Sequence, residues 1–417
     1  MAQEQNVEGI HFNGFKDWAV TLSPVQELWA AQPTYLIVQA SFCLGGIITF
    51  IHALCSRGRF PYLWFGTIFY GLFIESLCYM FPDVDNFWHS QTPIMFLGMR
   101  LPLHIIFLYP CFLYQASIAV ANLRLPSWAE PLAVGLIVVL IDIPYDIVSV
   151  KFVHWTWHDT DPNIGDRHYW VPWNSYFFHC TFSTGFTFWF HKTRQWMSTK
   201  SVYSKWDYSS FRIEFISMVL ASILGPISGV GIFMIVYHPL HDLYNIHSEV
   251  TFFILFSFAV FTVWTADRLP KPYSAIPSSK LKWLLILALI VHYSTFMALV
   301  VHGDPQKEIS IGLHQPLGPC NVEVPVKSIF GAKLKKYAYL CANNYNEDYF
   351  DFSCTNKPNP NKVVRWYTIC GTPFINRVEY ITVIGILTLL AGGVFWNLHF
   401  NLLIANANKK SNSKKIN

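Results

Sequence analysis

The sequence predicts an all-α polytopic membrane protein, and three observations carry that prediction. Of 417 residues, 53% are hydrophobic and only 13% charged, against about 25% charged in a soluble globular chain. Apolar runs of about 20 residues recur along the chain, each long enough to cross a bilayer as a helix. Lys and Arg gather in alternate loops, the asymmetry that orients multi-pass proteins.

Residues 1–33 are polar and mixed, with no basic stretch leading into a short apolar core. They read as an N-terminal exoplasmic segment without a cleavable signal peptide. Apolar runs place spans near 34–54, 61–81, 93–120, 131–150, 172–190, 213–237, 248–266 and 281–301, an eight-helix bundle over 34–301. The third run is the longest, and Pro102 and Pro110 predict a tilt or kink within it. A polar segment, 302–378, separates the bundle from a ninth helix at 379–404, and 405–417 form a basic tail.

One set of loops holds Arg57 and Arg59, Arg124, five cations from Lys192 to Arg212, and four from Arg268 to Lys282. The tail adds Lys409, Lys410, Lys414 and Lys415. On the other side, loops 82–92 and 238–247 carry no Lys or Arg, and 151–171 has Lys151 and Arg167. The bias predicts a lumenal or exoplasmic N-terminus and a cytosolic C-terminus. Cysteines vote the same way. Cys43, Cys55, Cys78, Cys111 and Cys180 lie in or beside spans, where a free thiol behaves as a small apolar group. Cys320, Cys341, Cys354 and Cys370 all fall in 302–378, predicting up to two disulfides in any of three pairings; four separate thiols or a metal site are the alternative. Lys414 and Lys415 match the dilysine pattern read by endoplasmic reticulum retrieval receptors. An endoplasmic reticulum or other endomembrane location follows, with the plasma membrane as the alternative. Membrane lipids are the expected surroundings, and the net charge of +4 forms no patch suited to nucleic acid.

Function is sought among the buried charges. Asp142 and Asp146 stand four residues apart within the apolar run 131–150, so a helix turns both to one face. Each charge near a membrane centre costs roughly 2.5–3.5 kcal/mol, which calls for partners, water or a purpose. Given the orientation, Glu75, Arg100, His104, Asp142, Asp146 and His179 all fall in the middle or outer half of their spans. His154, His158, Asp159, Asp161, Asp166 and His168 follow in one exoplasmic loop, and His238, His241, Asp242 and His247 in the next. The cytosolic halves are almost bare, apart from His399. A polar chamber open to the lumen is expected, roofed by these loops and the cysteine-bearing segment. The plainer alternative is a bundle in which Arg100 pairs with Glu75 or Asp146 and the histidines bond at the interface. Yet three acids face one Arg, so unless His104 or His179 is protonated at least one acid is neutral and suited to general-acid work.

Three chemistries compete for the chamber. In the first, a neutral carboxylic acid protonates an apolar, lipid-like substrate and a second carboxylate activates water. Nearby Tyr145, Trp155, Trp157, Tyr169, Trp170 and Trp173 would stabilise a cation or, equally, form an interfacial belt. The second is zinc, with His154 and His158 at i,i+4 and His238-x-x-His241 followed by Asp242 as candidate ligands. The third is transport, in which the same acids relay protons and Gly225-Pro226 interrupts the sixth span. A non-catalytic receptor or scaffold acting through the disulfide loop stands outside all three.

From 66 to 190 the order of motifs is Gly66, Gly71 and Glu75 in one span, Asp142-x-x-x-Asp146, Trp155-x-Trp157, then Tyr169-Trp170-Val171-Pro172-Trp173-Asn174. This order resembles the integral-membrane carotenoid hydratase-type family. The resemblance covers under a third of the chain and implies hydration of a polyene or isoprenoid end group, with Glu75, Asp142, Asp146 and Asn174 as catalytic candidates. Arg100, His104, Tyr145, Trp155, Trp157 and His179 are the candidate substrate-binding residues around them. Ile147 departs from the pattern, which tends to place proline there. The whole chain is more similar to an uncharacterised animal family of multi-pass proteins, known only as a domain of unknown function.

Overall fold

The structure is a computed structural model that describes residues 12–81, 84, 86–157, 160–198, 205–269, 281–326, 331, 333–345, 347–356, 359 and 362–400. Two short helices, α1 (Phe15–Ala19) and α2 (Val25–Ala31), flank β1 (Val20–Leu22) and lead into α3 (Pro33–Ser56) and α4 (Phe60–Met80). Strands β2 (Phe87–His89), β3 (Ile94–Phe96) and β4 (Leu101–Pro102) precede α5 (Leu103–Tyr109), which continues through a π-helical turn at Pro110–Tyr114 into α6 (Gln115–Ala121). Next come α7 (Glu130–Lys151), β5 (Trp155–Trp157), β6 (Arg167–His168), β7 (Val171–Pro172) and α8 (Trp173–Met197). Helix α9 (Phe211–His238), with a second π turn at Pro239–Leu243, is followed by α10 (Ser248–Thr265) and α11 (Lys282–His302). Strands β8 (Ile309–Leu317), β9 (Glu323–Val326), β10 (Leu334–Tyr337), β11 (Phe350–Asp351) and β12 (Val364–Gly371) then precede α12 (Arg377–Phe400).

Each expected span overlaps a helix, although 93–102 of the third is not helical and 401–404 of the last lie outside the described residues, and among the described residues eight helices are long and apolar enough to cross a membrane. The ninth, α8, has 25 residues but is less apolar. It runs antiparallel between α7 and α9 along their length. Ser175 bonds Asp146 near one end of α7, and Thr184 bonds the Pro131 carbonyl near the other. Small residues make the approach possible. A Cβ at Gly135 would stand 2.5 Å from the Cys180 carbonyl oxygen, and one at Gly225 would stand 2.7 Å from the Phe186 nitrogen.

Two expectations are corrected. The fold is not purely α, because small antiparallel sheets sit at one end of the bundle: β1-β3-β4, β2-β5, β6-β7, β9-β10 and β11-β12-β8. The third span begins at Leu103 rather than 93, since Pro102 is extended and caps α5 from outside the helix. Residues 97–99 turn tightly between β3 and β4, all three at positive φ. Of the two prolines, only Pro110 bends the helix; it lacks an N–H and opens the π turn.

The cysteine-bearing segment is bonded as Cys320–Cys341 and Cys354–Cys370. Its sheet docks on the bundle through the Gln91 N–H to the Ile311 carbonyl at 3.0 Å, and through Lys151 to Thr372 Oγ1 and the Pro373 carbonyl, both at 3.0 Å. Arg167 adds an ion pair to Glu347 at 2.6 Å. Glu308, at the start of this segment, is 2% exposed. Burial pushes its carboxyl from the usual 4.5 up to about 7, against hydrogen bonds with Thr34 that pull it down.

The other end of the bundle is not bare, as the sequence reading expected. Glu214 is fully buried between two guanidinium groups, Arg59 at 2.6 Å and Arg194 at 3.0 Å. Arg59 also donates to the Phe190 carbonyl, and His191 Nδ1 accepts from it at 3.1 Å. Glu130 pairs with Lys205 beside this network.

Two outcomes follow. Glu214→Ala would strand two buried cations and should cost roughly 3–5 kcal/mol, seen as a large drop in detergent thermal stability; an unchanged thermal midpoint would show the network is dispensable. Between pH 4.5 and 7 folded Glu308 holds its proton more tightly than the unfolded chain does. Stability should therefore fall across that window by up to about 3 kcal/mol. Glu308→Gln should flatten this dependence and be the more stable protein at pH 8, and thermal midpoints that track wild type at both pH 5 and pH 8 would disprove it.

Candidate functional site

The site is built on the α7–α8 pair. Asp142 and Asp146 share one face of α7 and are both 0% exposed. Facing them, Ser175 and His179 repeat the same i,i+4 spacing on antiparallel α8. Ser175 donates to Asp146 Oδ2 at 2.8 Å, and His179 Nε2 lies 3.4 Å from Asp142 Oδ1. One oxygen of each aspartate and a ring nitrogen of His179 all lie within 4.8 Å of one another. Apart from this His179 contact and the reach of the two carboxyls to each other, neither Asp142 oxygen, nor Asp146 Oδ1, has a hydrogen-bond partner among the described residues. Between the aspartates, Pro144 removes one N–H from the helix ladder. The freed Leu140 carbonyl accepts from Tyr293 Oη at 3.0 Å, and the Ile141 carbonyl bonds His292 Nε2 at 2.8 Å.

Glu75 approaches from α4. Its Oε1 accepts from Tyr109 Oη at 2.7 Å. Gly71, one turn earlier, makes room for that tyrosine, since a Cβ there would overlap the Tyr109 ring. Above them β2 and β5 form a two-stranded ribbon that pairs Phe87 with Trp157 and His89 with Trp155. His89, Trp155 and Tyr145 stack, with successive ring centroids 5.7 Å apart.

These parts enclose a cavity of about 440 Å³ lined by Glu75, Tyr145, Trp155, Trp157, Asn174 and His179 among the sequence candidates. Ser175, His89, Tyr70, Tyr109, Phe178 and Phe182 complete much of the wall. Asp142 and Asp146 stand one layer behind, reached through His179 and Ser175. The walls are largely apolar and aromatic rather than polar, and the ribbon roofs them. Exposed lining residues mark the mouth: Val84 at 48%, Ile227 at 52% and Val230 at 41%. All three are apolar, and the mouth opens on the flank between α4 and α9. Asn174, on the first turn of α8, donates to the Asn163 carbonyl at 2.5 Å and so ties the wall to the 161–166 loop.

Other candidates lie elsewhere. Arg100 sits before α5, its guanidinium 3.9 Å from the Trp88 ring centroid, and lines no part of the cavity. His104 is buried behind the wall among Tyr35, Phe42 and His89, with neither ring nitrogen hydrogen-bonded among the described residues. His154 bonds Thr34 at 2.9 Å and stacks on Tyr35; burial holds it near 3, well below the usual imidazole range. His158 lies outside the described residues. His238 and His241 take opposite oxygens of Asp242 at 3.0 and 2.9 Å, and His154 is not among their partners in these bonds. Among the described residues, the expected zinc ligands His154, His238, His241 and Asp242 form no group with the spacing a metal needs. Among the described residues, the group with metal-ligand geometry is Asp142, Asp146 and His179. The 238–247 loop braces the roof from outside, with Ser248 and His247 holding Asp166.

A family model described as a domain of unknown function, DUF7802, matches residues 3–400. The chain belongs to that family. The match takes in both the bundle and the disulfide segment. No curated protein and no solved structure matches the chain.

Sequence reasoning missed three residues of this site, Ser175, His89 and Tyr109, and named Gly71 only as part of a motif order, without its packing role. Ser175 was legible, because it repeats the i,i+4 spacing of the aspartates with His179. His89 lies in a loop whose plainest sequence signal is its lack of Lys and Arg. Tyr109 carries no charge, and Gly71 marks a close approach that only the partner helix makes visible. Gly71→Ala should displace Tyr109 and cost about 1–3 kcal/mol, whereas Gly392→Ala, with open space around it, should be neutral or slightly stabilising. Equal thermal midpoints for the two variants would show that Gly71 is not a packing constraint.

Proposed function

We propose that this protein is a membrane-embedded chamber that takes a lipid-like, isoprenoid-type substrate from the bilayer and acts on it by acid–base chemistry. The observation that carries this reading is the cavity itself. Its walls and mouth are apolar, its volume suits a small lipid or one end of a long one, and a few polar groups converge in it: Glu75, Asn174, Ser175 and His179. Pockets of this composition bind apolar ligands and orient them by a small number of polar contacts. Glu75, held by Tyr109, is the residue suited to exchange a proton with the substrate. His179, backed by Asp142, is suited to activate water. The stacked His89, Trp155 and Tyr145 offer ring faces to a developing cation. The motif order shared with carotenoid hydratase-type enzymes fits these roles, since Glu75 and Asn174 reach the cavity and the two aspartates back it.

On this reading α8 crosses the membrane with α7 and α9, making nine spans, and the basic loops keep the cytosolic side. The roof and disulfide segment then face the lumen, where disulfides persist. The dilysine pattern at Lys414 and Lys415 argues for residence in the endoplasmic reticulum.

The test is organic extraction and mass spectrometry of the purified protein. An apolar small molecule should co-purify with wild type and be lost in Val230→Trp, which fills the mouth. Ile386→Trp, exposed on α12, should leave it bound. An occupant equally abundant in all three preparations would be bulk lipid and would sink the proposal.

A further inference from the structure

We propose that Asp142, Asp146 and His179 bind one divalent transition-metal ion, with zinc as the best match, and that its open coordination position faces the chamber. Three observations lead there. The three side chains converge, one ligand atom from each lying within 4.8 Å of the others. Among the described residues no other side chain or backbone group makes a hydrogen bond to either Asp142 oxygen or to Asp146 Oδ1, although both aspartates are 0% exposed, and the two carboxyls lie within hydrogen-bonding reach of each other, so that without a cation they must share a proton. Buried polar atoms left so are uncommon and point to a missing partner. The other Asp146 oxygen is held by Ser175 at 2.8 Å, the outer bond that orients a carboxylate ligand while leaving its second oxygen available.

Electrostatics asks for the same thing. Two carboxylates this close, shielded from water, repel strongly, and a cation or a shared proton must offset the second charge. Two oxygens and an imidazole nitrogen suit zinc, whose ligand atoms stand about 3.3 Å apart in a tetrahedron, so the trio closes slightly on binding. Three protein ligands leave a fourth position for water, the arrangement of catalytic rather than structural zinc. His179 and Ser175 line the cavity, so that position opens to its occupant. A metal-bound water there would be the water that the acid–base reading requires, with the metal, and His179 as its ligand, taking over the activation that His179 alone would otherwise supply. The inference thus deepens that reading and rests on it for the substrate, while metal binding is measured by itself.

The experiment is elemental analysis of the full chain purified in detergent without chelator, followed by stripping and Co2+ titration with absorption spectroscopy. Wild type should hold about one equivalent of metal and show the intense visible bands of a tetrahedral Co2+ site. Asp142→Asn and His179→Ala should abolish both. Ser175→Ala should retain the site with roughly 10- to 100-fold weaker affinity. The double variant His238→Ala, His241→Ala should bind as wild type does. Metal lost in that double variant but kept in His179→Ala would overturn the proposal, as would wild type with neither metal nor a Co2+ spectrum. Should Asp142→Asn fail to fold, His179→Ala decides alone. A co-purifying lipid without metal would sink this proposal and leave the chamber reading intact; metal without lipid would support the site and count against the lipid.

Discussion

Two aspartates one turn apart, buried in an apolar helix, oblige the neighbouring helix to supply partners at matching spacing. Helix α8 does so with Ser175 and His179, and much of the architecture follows from seating that helix. A segment carrying Asn174, His179 and His191 is poorly suited to lipid, so α8 lies between α7 and α9, close enough that Gly135, Gly185 and Gly225 have no room for a side chain. Pro144 opens the α7 ladder between the aspartates, and α11 repairs it with His292 and Tyr293. The polar layer is therefore a contract between three helices, not a property of one.

The two ends of the bundle handle buried charge differently. Around Glu214, two guanidinium groups, a backbone carbonyl and an imidazole meet at hydrogen-bonding distance. Polar groups satisfied this completely rigidify a structure and have little left to offer a ligand. Around Asp142 the protein donors run short, and the shortfall lies one layer from a cavity. Incomplete satisfaction at one end, beside fuller satisfaction at the other, is what the proposed site and the brace differ in.

Helix positions were legible because hydropathy reports them locally, and the cysteine segment because four thiols shared one loop. The face of α7 was legible for the same reason: Asp142 and Asp146 need only the helical period. What lies across a helix was not. Arg100 read as part of a spanning helix because the run from 93 is apolar, but Pro102 and the turn at 97–99 keep it outside the helix. Glu214 was overlooked at the end of its span, where its partners Arg59 and Arg194 come from two earlier and separate parts of the chain. The roof was illegible for a similar reason, since three-residue strands such as Phe87–His89 and Trp155–Trp157 carry no periodic signal and find each other only across a long sequence gap. His238 and His241 had ligand-like spacing, yet Asp242 already occupies both.

The roof ribbon also sets an order of assembly. Its strands come from residues 87–89 and 155–157, but the sheet that backs them needs β8 and β12, the latter ending at Gly371. The chamber-lining residues have all been made once Val230 is in place, while the layer that closes over them is finished only when Gly371 has followed. The chamber's completion waits on a late segment that two disulfides must cross-link. The last layer over the chamber is therefore also the one that holds both disulfides, Cys320–Cys341 and Cys354–Cys370.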